Sequence, residues 1–361
     1  MMAKVKKGIL ISGPFFILAA LSLVILAFMT CDVEPPEDTT PKPYTCAGSV
    51  ADCLRFGPGW TFEGVVLTKE QTFPGGPDPW VVRLDDGRYR LYLGVSIDEG
   101  DNWNGIVSWI SDDGLHFNQE AGYRLQGYSL FQFCVVRNPG GSWRMYWLDQ
   151  KQGQVNNWGS KAIKSALSND GGWSFTEEAG ERLTYSGTGN EVNGIWSAKV
   201  VPLPTGGFRM YYTGFGSDHG RTLSALSANG LGFVREDGVR LDVMCPPEEF
   251  PGNVTPIIDA LGTYHTFTRG VRCTGNYVNA ISGLFDGTTS DGLTLNIASS
   301  PYVRGYSKDG TLANQVDPQD FCPVQTPQGL RVYFILYNSG SATNQVIPET
   351  AIYSCINTSI K

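Results

Sequence analysis

The sequence predicts an all-β chain: a five-bladed β-propeller with four antiparallel strands per blade, its last blade closed by an N-terminal strand. Three observations carry this. One segment recurs at a constant spacing, a strand–turn–strand pattern occurs five times, and the fifth unit lacks a strand that is present at the opposite end of the chain. Composition agrees, because 44 glycines and 12% aromatic residues in 361 positions suit many short strands joined by Gly turns.

The recurring segment is Phe117-Asn-Gln-Glu120-Ala-Gly122-Tyr-Arg124-Leu125. It returns as Phe175-Thr-Glu-Glu178-Ala-Gly180-Glu-Arg182-Leu183 and as Phe233-Val-Arg-Glu236-Asp-Gly238-Val-Arg240-Leu241. Regular self-similarity of this kind marks a repeat architecture. Before each copy stands a hairpin turn: Ser111-Asp-Asp113-Gly114, Ser168-Asn-Asp170-Gly171 and Ser227-Ala-Asn229-Gly230, with a weaker Ser290-Asp291-Gly292. Asp-Gly and Asn-Gly suit tight turns because both residues tolerate positive φ. Upstream lie five copies of an apolar strand, a Gly turn and a second strand, beginning at Val81, Val135, Val200, Ile257 and Pro323. Each unit therefore holds strands A to D, the content of one propeller blade.

The fifth unit ends after its third strand at Lys361. The segment Trp60-Thr-Phe62-Glu63-Gly64-Val65-Val66-Leu67 reads as a shortened copy of the outer strand. It is expected to complete the last blade and so remove the open edges a linear array would expose.

The domain plan has three parts: 1–30 as signal peptide or membrane anchor, 31–56 as tether with a short disulfide loop, and 57–361 as propeller. Lys4, Lys6 and Lys7 precede an apolar run from Ile9 to Met29, then Cys31 and a Pro-rich stretch. A basic segment before an apolar one directs export. Two readings of the run stay open, an uncleaved helical anchor or a lipoprotein leader with lipid on Cys31, and a secreted form is a third. All place the domain outside the cytoplasm, at the cell surface or in the periplasm. Eight cysteines suit that compartment. Cys46 and Cys53 close a short loop, Cys245 and Cys273 are a second candidate pair, and Cys134 and Cys322 fall in apolar strand patterns as buried small hydrophobes. Net charge is −8 with no basic cluster in the folded part, which argues against nucleic acid. No Cys/His spacing suggests a metal, no cofactor is expected, and a monomer is.

In a four-stranded blade the A–B and C–D turns share one face, and the B–C and D–A connections share the other. The former are minimal here, while the B–C connections are long: Ser96–Asn104, Asp149–Gly159, Gly214–Arg221, Arg269–Asn279 and Asn338–Glu349. Long loops on a rigid scaffold are where binding usually sits. That face holds Trp80 and Trp196 at starts of inner strands, Trp103 and Trp158 in loops, and Asp98, Glu99, Asp101, Asp149, Asn156 and Asp218. Aromatic faces stack on sugar rings and carboxylates bind hydroxyls, so a glycan is the expected partner. Trp109, Trp143, Trp147 and Trp173 are assigned to packing.

With blade count, N-terminal closure and Asp78-Pro79-Trp80 at the first inner strand, the chain from about Trp60 onward resembles the five-bladed glycoside hydrolases of the arabinanase, β-xylosidase and invertase type. The resemblance implies an Asp base in blade one, an Asp in blade two and a Glu acid in blade three. Hydrolysis needs two carboxyl groups flanking the bond, about 6.5–9.5 Å apart in an inverting enzyme. Asp78 matches the base. The blade-two position is Gln132, and blade three gives Ser197 with Glu191 six residues earlier as candidate acid. Blade four gives Asn253, and in blade five Asp317 and Asp320 flank the matching Gln319, so that either can face Asp78. The implied catalytic set is Asp78, Glu191 and Asp320, with Trp80, Trp103, Gln132, Trp158, Trp196, Asn253 and Asp317 for substrate. The alternative is a catalytically silent propeller that binds glycan or a protein partner at the same face.

Overall fold

A computed structural model of the chain describes residues 53–68, 70–72, 78–97, 103–127, 129–154, 160–243, 254–259, 263–272, 281–305, 316–338 and 351–360. All belong to the second of two compact units, Tyr44–Lys361. The leader, Cys31, Cys46, Cys245 and Cys273 lie outside the described residues, as do Trp158 and Asn253. Among the described residues no helix is long and apolar enough to cross a membrane.

The unit is a β-propeller of five blades. The inner strands are Trp80–Arg83, Leu130–Arg137, Ile195–Pro202, Val254–Ile258 and Val316–Thr326. Each touches the next, and the fifth touches the first, so the ring is closed. Closure takes the expected route: Trp60–Leu67 pairs antiparallel with the last strand, Ile352–Asn357, matching Trp60 to Asn357 and Phe62 to Cys355. A second N-terminal strand, Leu54–Phe56, was not foreseen. It pairs with Val303–Gly305 and widens the fourth blade before the chain crosses to the fifth.

The repeat is a latch between neighbouring blades. In blade one Arg90 forms a two-pronged ion pair with Glu120 at 2.7 and 3.0 Å, and Ser108 donates to the same carboxylate at 2.6 Å. The remaining Arg90 nitrogen donates to the Gly171 carbonyl in the C–D turn of blade two, and the Tyr92 hydroxyl donates to Gly172. Arg144, Glu178 and Tyr146 repeat this onto Asn229 and Gly230. Arg209, Glu236 and Tyr211 repeat it onto Asp291 and Gly292. Arg331 and Tyr333 of blade five close the ring onto Asp113 and Gly114 of blade one, and the partner of Arg331 is Glu63 from the N-terminal strand at 2.7 and 2.8 Å. The repeated Phe packs edge-on against the latch tyrosine, as Phe175 does on Tyr92 and Phe233 on Tyr146. Glycine is required in the turn at Gly114, where φ is +75° and a Cβ would fall on the Arg331 guanidinium and the Tyr333 hydroxyl.

Blade four carries His265 and Phe267 where the others carry Arg and Tyr, and its seam to blade five is built differently. His265 pairs with Asp259 of its own blade at 2.9 Å. Trp60 packs on Tyr302 and Phe267 instead, and bonds to Asp286. Cys134, Cys322 and Cys355 are buried and free, in keeping with small buried hydrophobes for the first two.

Candidate functional site in the central funnel

Three inner strands carry the same irregularity near their starts. Pairing to the second strand slips between Phe131 and Cys134, between Trp196 and Lys199, and between Gln319 and Cys322. At the slip Gln132, Ser197 and Asp320 adopt positive φ of 50°, 44° and 38°. Non-Gly residues rarely take this conformation, and a bulge that re-aims a side chain is a common reason. Each stands three residues before its strand's apolar pair, as Asp78 does before Val81 and Val82. By this count of three the blade-five counterpart of Asp78 is Asp320 and not Gln319, which stands four residues before Pro323.

Three of these groups, Asp78, Gln132 and Asp320, come together. Gln132 donates to Asp78 twice, through its side-chain amide at 2.7 Å and its backbone N–H at 3.2 Å. The Asp78 and Asp320 carboxyl groups are close enough to act on one another. Burial pushes Asp78 up, offset in part by Lys199, the Gln132 N–H and Asp320. Burial and then the Asp78 charge push Asp320 well above the carboxylate range. Two neighbouring buried carboxyls cannot both ionise readily, so a shared proton is favoured, and the two hydrogen bonds that Gln132 donates to Asp78 make Asp78 the better place for the charge. Asp78 is buried, and Asp320 keeps partial access to solvent.

Lys199 follows two residues after Ser197 and is 4% exposed. Its ammonium donates to the Phe133 carbonyl at 3.0 Å and lies 5.0 Å from the centre of the Trp80 ring. The composition-and-loop reading passed over this lysine, although a charged residue inside the apolar run Ala198-Lys-Val-Val201 is a legible signal.

Other candidates are placed elsewhere. Glu191 ends the short helix Gly189–Glu191. Its carboxylate accepts from Arg235 at 2.7 and 2.8 Å, from the Tyr212 hydroxyl at 2.7 Å and from the Ser186 N–H at 2.7 Å. Burial acts to raise it, but Arg235, Tyr212 and the Ser186 N–H outweigh burial and hold it below the ordinary range. That is the opposite of what a general acid needs. Asp317 is buried and held by Arg269 and Gln319 at 2.7 and 2.6 Å, a bridge between blades four and five. Trp80 and Trp196 are core residues, 7% and 6% exposed, with the Trp80 indole donating to the Val135 carbonyl of blade two. Neither is an open sugar platform. Trp103 is half-buried at the rim, at φ +42°.

Trp109, Trp143 and Trp147 are buried as expected, whereas Trp173 is 43% exposed and stacks on Arg124 at 3.8 Å. Two connections are shorter than the spacing suggests. The second strand of blade two runs Trp143–Gln154 and takes in Asp149, and the third B–C connection is the tight turn between Phe215 and Gly220. Among the described residues no His/Cys/Asp/Glu group has the arrangement of a metal site.

No family model and no curated protein sequence matches the chain. Solved structures do match. A thermostable family-43 glycoside hydrolase shares 13% identity over 78% of this chain and 88% of its own, with a TM-score of 0.54. Sucrose-6-phosphate hydrolase from Lactobacillus gasseri shares 9% over 80% of this chain and 59% of its own, with a TM-score of 0.56. Penicillium chrysogenum α-L-arabinanase, solved with arabinobiose, shares 14% over 83% and 99%, with a TM-score of 0.51. The fold is that of the five-bladed propeller glycoside hydrolases. At these identities the likeness speaks for architecture, and function has to be argued from the funnel itself.

Proposed function

We propose that this is an exported carbohydrate-active protein, a glycoside hydrolase whose proton chemistry is done in the funnel by Asp78 and Asp320. The observation that carries the reading is the pairing of two desolvated carboxyls, Asp78 before the first inner strand and Asp320 on the bulge of the fifth, with Gln132 donating twice to Asp78. Such a pair is costly to keep and is characteristic of functional sites. Asp78, ionised and fixed by Gln132, is the base that takes a proton from water. Asp320 is the protonated partner that gives its proton to the glycosidic oxygen as the bond breaks, and the proton that Asp78 has taken from water restores the pair when the products leave. Glu191 has no part in this, because Arg235 and Tyr212 already occupy its oxygens. Export rests on the basic and apolar leader, with an uncleaved helix or lipid on Cys31 as tether.

A second reading, a propeller that binds glycan without cleaving it, is favoured by one observation. The carboxyls of Asp78 and Asp320 act directly on one another, whereas an inverting pair stands about 6.5–9.5 Å apart with water between. One assay separates the readings. Reducing-sugar release is measured on arabinan, xylan and fructan for the native protein and Asp78→Asn, with calorimetric binding of oligosaccharides from the same polymers. Release that falls at least about a thousandfold in the variant supports hydrolysis, the loss expected when the base is removed. Binding without release in either protein supports the silent reading, and release that is equal in both rules out Asp78 as base.

A further inference from the structure

Beneath the bulge residues the inner strands present a second tier, two residues further on: Trp80, Cys134, Lys199 and Cys322, in blades one, two, three and five. Three of these are neutral. Burial pushes the Cys134 thiol up to about 11 and the Cys322 thiol up to about 12, so both stay protonated near neutral pH. Cys322 is further engaged by the Val81 backbone at 3.3 Å. Lys199 is thus the one cation of this tier, buried, with its ammonium donating to the Phe133 carbonyl.

We propose that Lys199 is a positioning residue for the funnel chemistry: its buried charge fixes the Asp78–Asp320 pair in its singly ionised state, with the negative charge on Asp78. The argument is one of charge balance. A buried cation without a counter-ion costs several kcal/mol, and so does a buried anion. One carboxylate against one ammonium is neutral, which leaves the second carboxyl to carry the proton. The ammonium sits between Phe133, next to Gln132, and Trp80, two residues after Asp78, and the ionisable groups that feel its charge are Asp78 from blade one, Cys134 from blade two, and Asp320 and Cys322 from blade five. Only the two carboxyls change charge in the acid-to-neutral range, so the balance is set between them. Trp80, whose ring lies against the ammonium, adds a cation–π contact that a neutral side chain would not feel in the same way. The inference deepens the funnel reading above by naming what holds the base ionised.

The test is the titration of the Asp78 and Asp320 carboxyl carbons by carbon-13 NMR in aspartate-labelled protein, assigned with Asp78→Asn and Asp320→Asn. Lys199→Gln keeps a donor for the Phe133 carbonyl and removes the charge, whereas Lys199→Arg keeps the charge. The first ionisation of the pair is expected to rise by about one pH unit or more in Lys199→Gln, at least tenfold in proton affinity, and to return toward the native value in Lys199→Arg. A lysine that serves only as a hydrogen-bond donor would leave the titration unmoved in Lys199→Gln, and that result overturns the proposal. If Lys199→Gln does not fold, Lys199→Met, which fills the space against Trp80 but removes the donor as well as the charge, is read beside Lys199→Arg, and a titration unmoved in Lys199→Met overturns the proposal. Should neither fold, the native pair is titrated at low and high salt beside Asp320→Asn. A first ionisation that falls below neutral pH in Asp320→Asn without salt dependence supports a buried counter-ion, and one that stays above neutral pH overturns it. None of these measurements needs a glycan. Failure of the hydrolase reading therefore leaves this inference standing, and failure here leaves the reducing-sugar assay to be judged by itself.

Discussion

Asp320 takes a left-handed backbone conformation and holds a proton above the usual range, and both features cost stability. A carboxyl whose folded pKa is raised destabilises the fold progressively as pH rises from its unfolded value of about 4. Asp320→Asn removes the penalty. Its Tm at pH 7–8 is expected to exceed the native value by about 1–2 °C, the shift that about 1 kcal/mol gives in a folded unit of this size, and the gain should shrink toward pH 4. Glu191 behaves in the opposite sense. Glu191→Gln breaks an ion pair with an Arg235 that is itself 39% exposed, so a loss of about 1–2 kcal/mol in denaturant unfolding is expected, with no change in any glycan activity of the folded protein. A catalytic acid would show the reverse pattern. Asp78 was legible because the apolar pair Val81-Val82 fixes its place and no bulge intervenes. Asp320 was blurred because the pair that anchors its strand, Pro323-Val324, is a weaker marker than Val-Val, so the register reads one residue too early, at Gln319. The arrest of Glu191 depends on Arg235, 44 residues further along the chain, and nothing local in the sequence announces that partner.

The latch gives the repeated Phe-x-x-Glu-x-Gly-x-Arg-Leu segment its meaning at the level of elements. The sequence shows that Glu recurs, but its partners, an Arg on strand B and a Ser on strand C of the same blade, come from elements whose register only the folded sheet sets. The Gly of the segment is readable more directly: Gly122, Gly180 and Gly238 stand at φ of 79°, 80° and 90°, where the outer strand is broken into two short pieces. Because the Arg331 guanidinium is 4% exposed and its Glu63 partner 13%, Arg331→Met strands a buried carboxylate and unties two blades at once. A destabilisation of about 3 kcal/mol is expected by chemical denaturation. The double variant Arg331→Met with Glu63→Gln should recover part of it, and strict additivity of the two losses would show that the pair does not act as a unit. Blade four shows the limit of pattern reading. His265 and Phe267 break the latch, and the compensating packing of Trp60 on Tyr302 joins residues from opposite ends of the chain.

Across the whole molecule, ring closure was legible because a blade with three strands and a lone outer strand at the other terminus have one economical solution. The additional strand Leu54–Phe56 was not, since three residues carry no periodicity. Its presence makes the N-terminal segment a staple across blades four and five. A chain that starts at Thr68 should therefore fail to fold cooperatively, while one that starts at Ala51 should melt in a single transition, as followed by near-ultraviolet circular dichroism. Acid stability is also a property of the ring. Glu191, Asp113 and Asp170 are held below the ordinary carboxylate range, Asp113 and Asp170 by their own turns despite partial burial. Depressed carboxylates contribute stability above their unfolded pKa and lose it as pH falls through the folded value. The Tm should accordingly decline steeply only below about pH 4, the range in which those groups take up protons.

The central claim is that a glycan is handled where the bulged inner strands converge, and the most direct measurement is a crystal structure of Asp78→Asn with the oligosaccharide that binds best. The account predicts a sugar ring at the funnel floor, with a hydroxyl or glycosidic oxygen within hydrogen-bond distance of residue 78 and Asp320. Sugar bound on the outer face of a blade, with the floor of the funnel left to solvent, would contradict it.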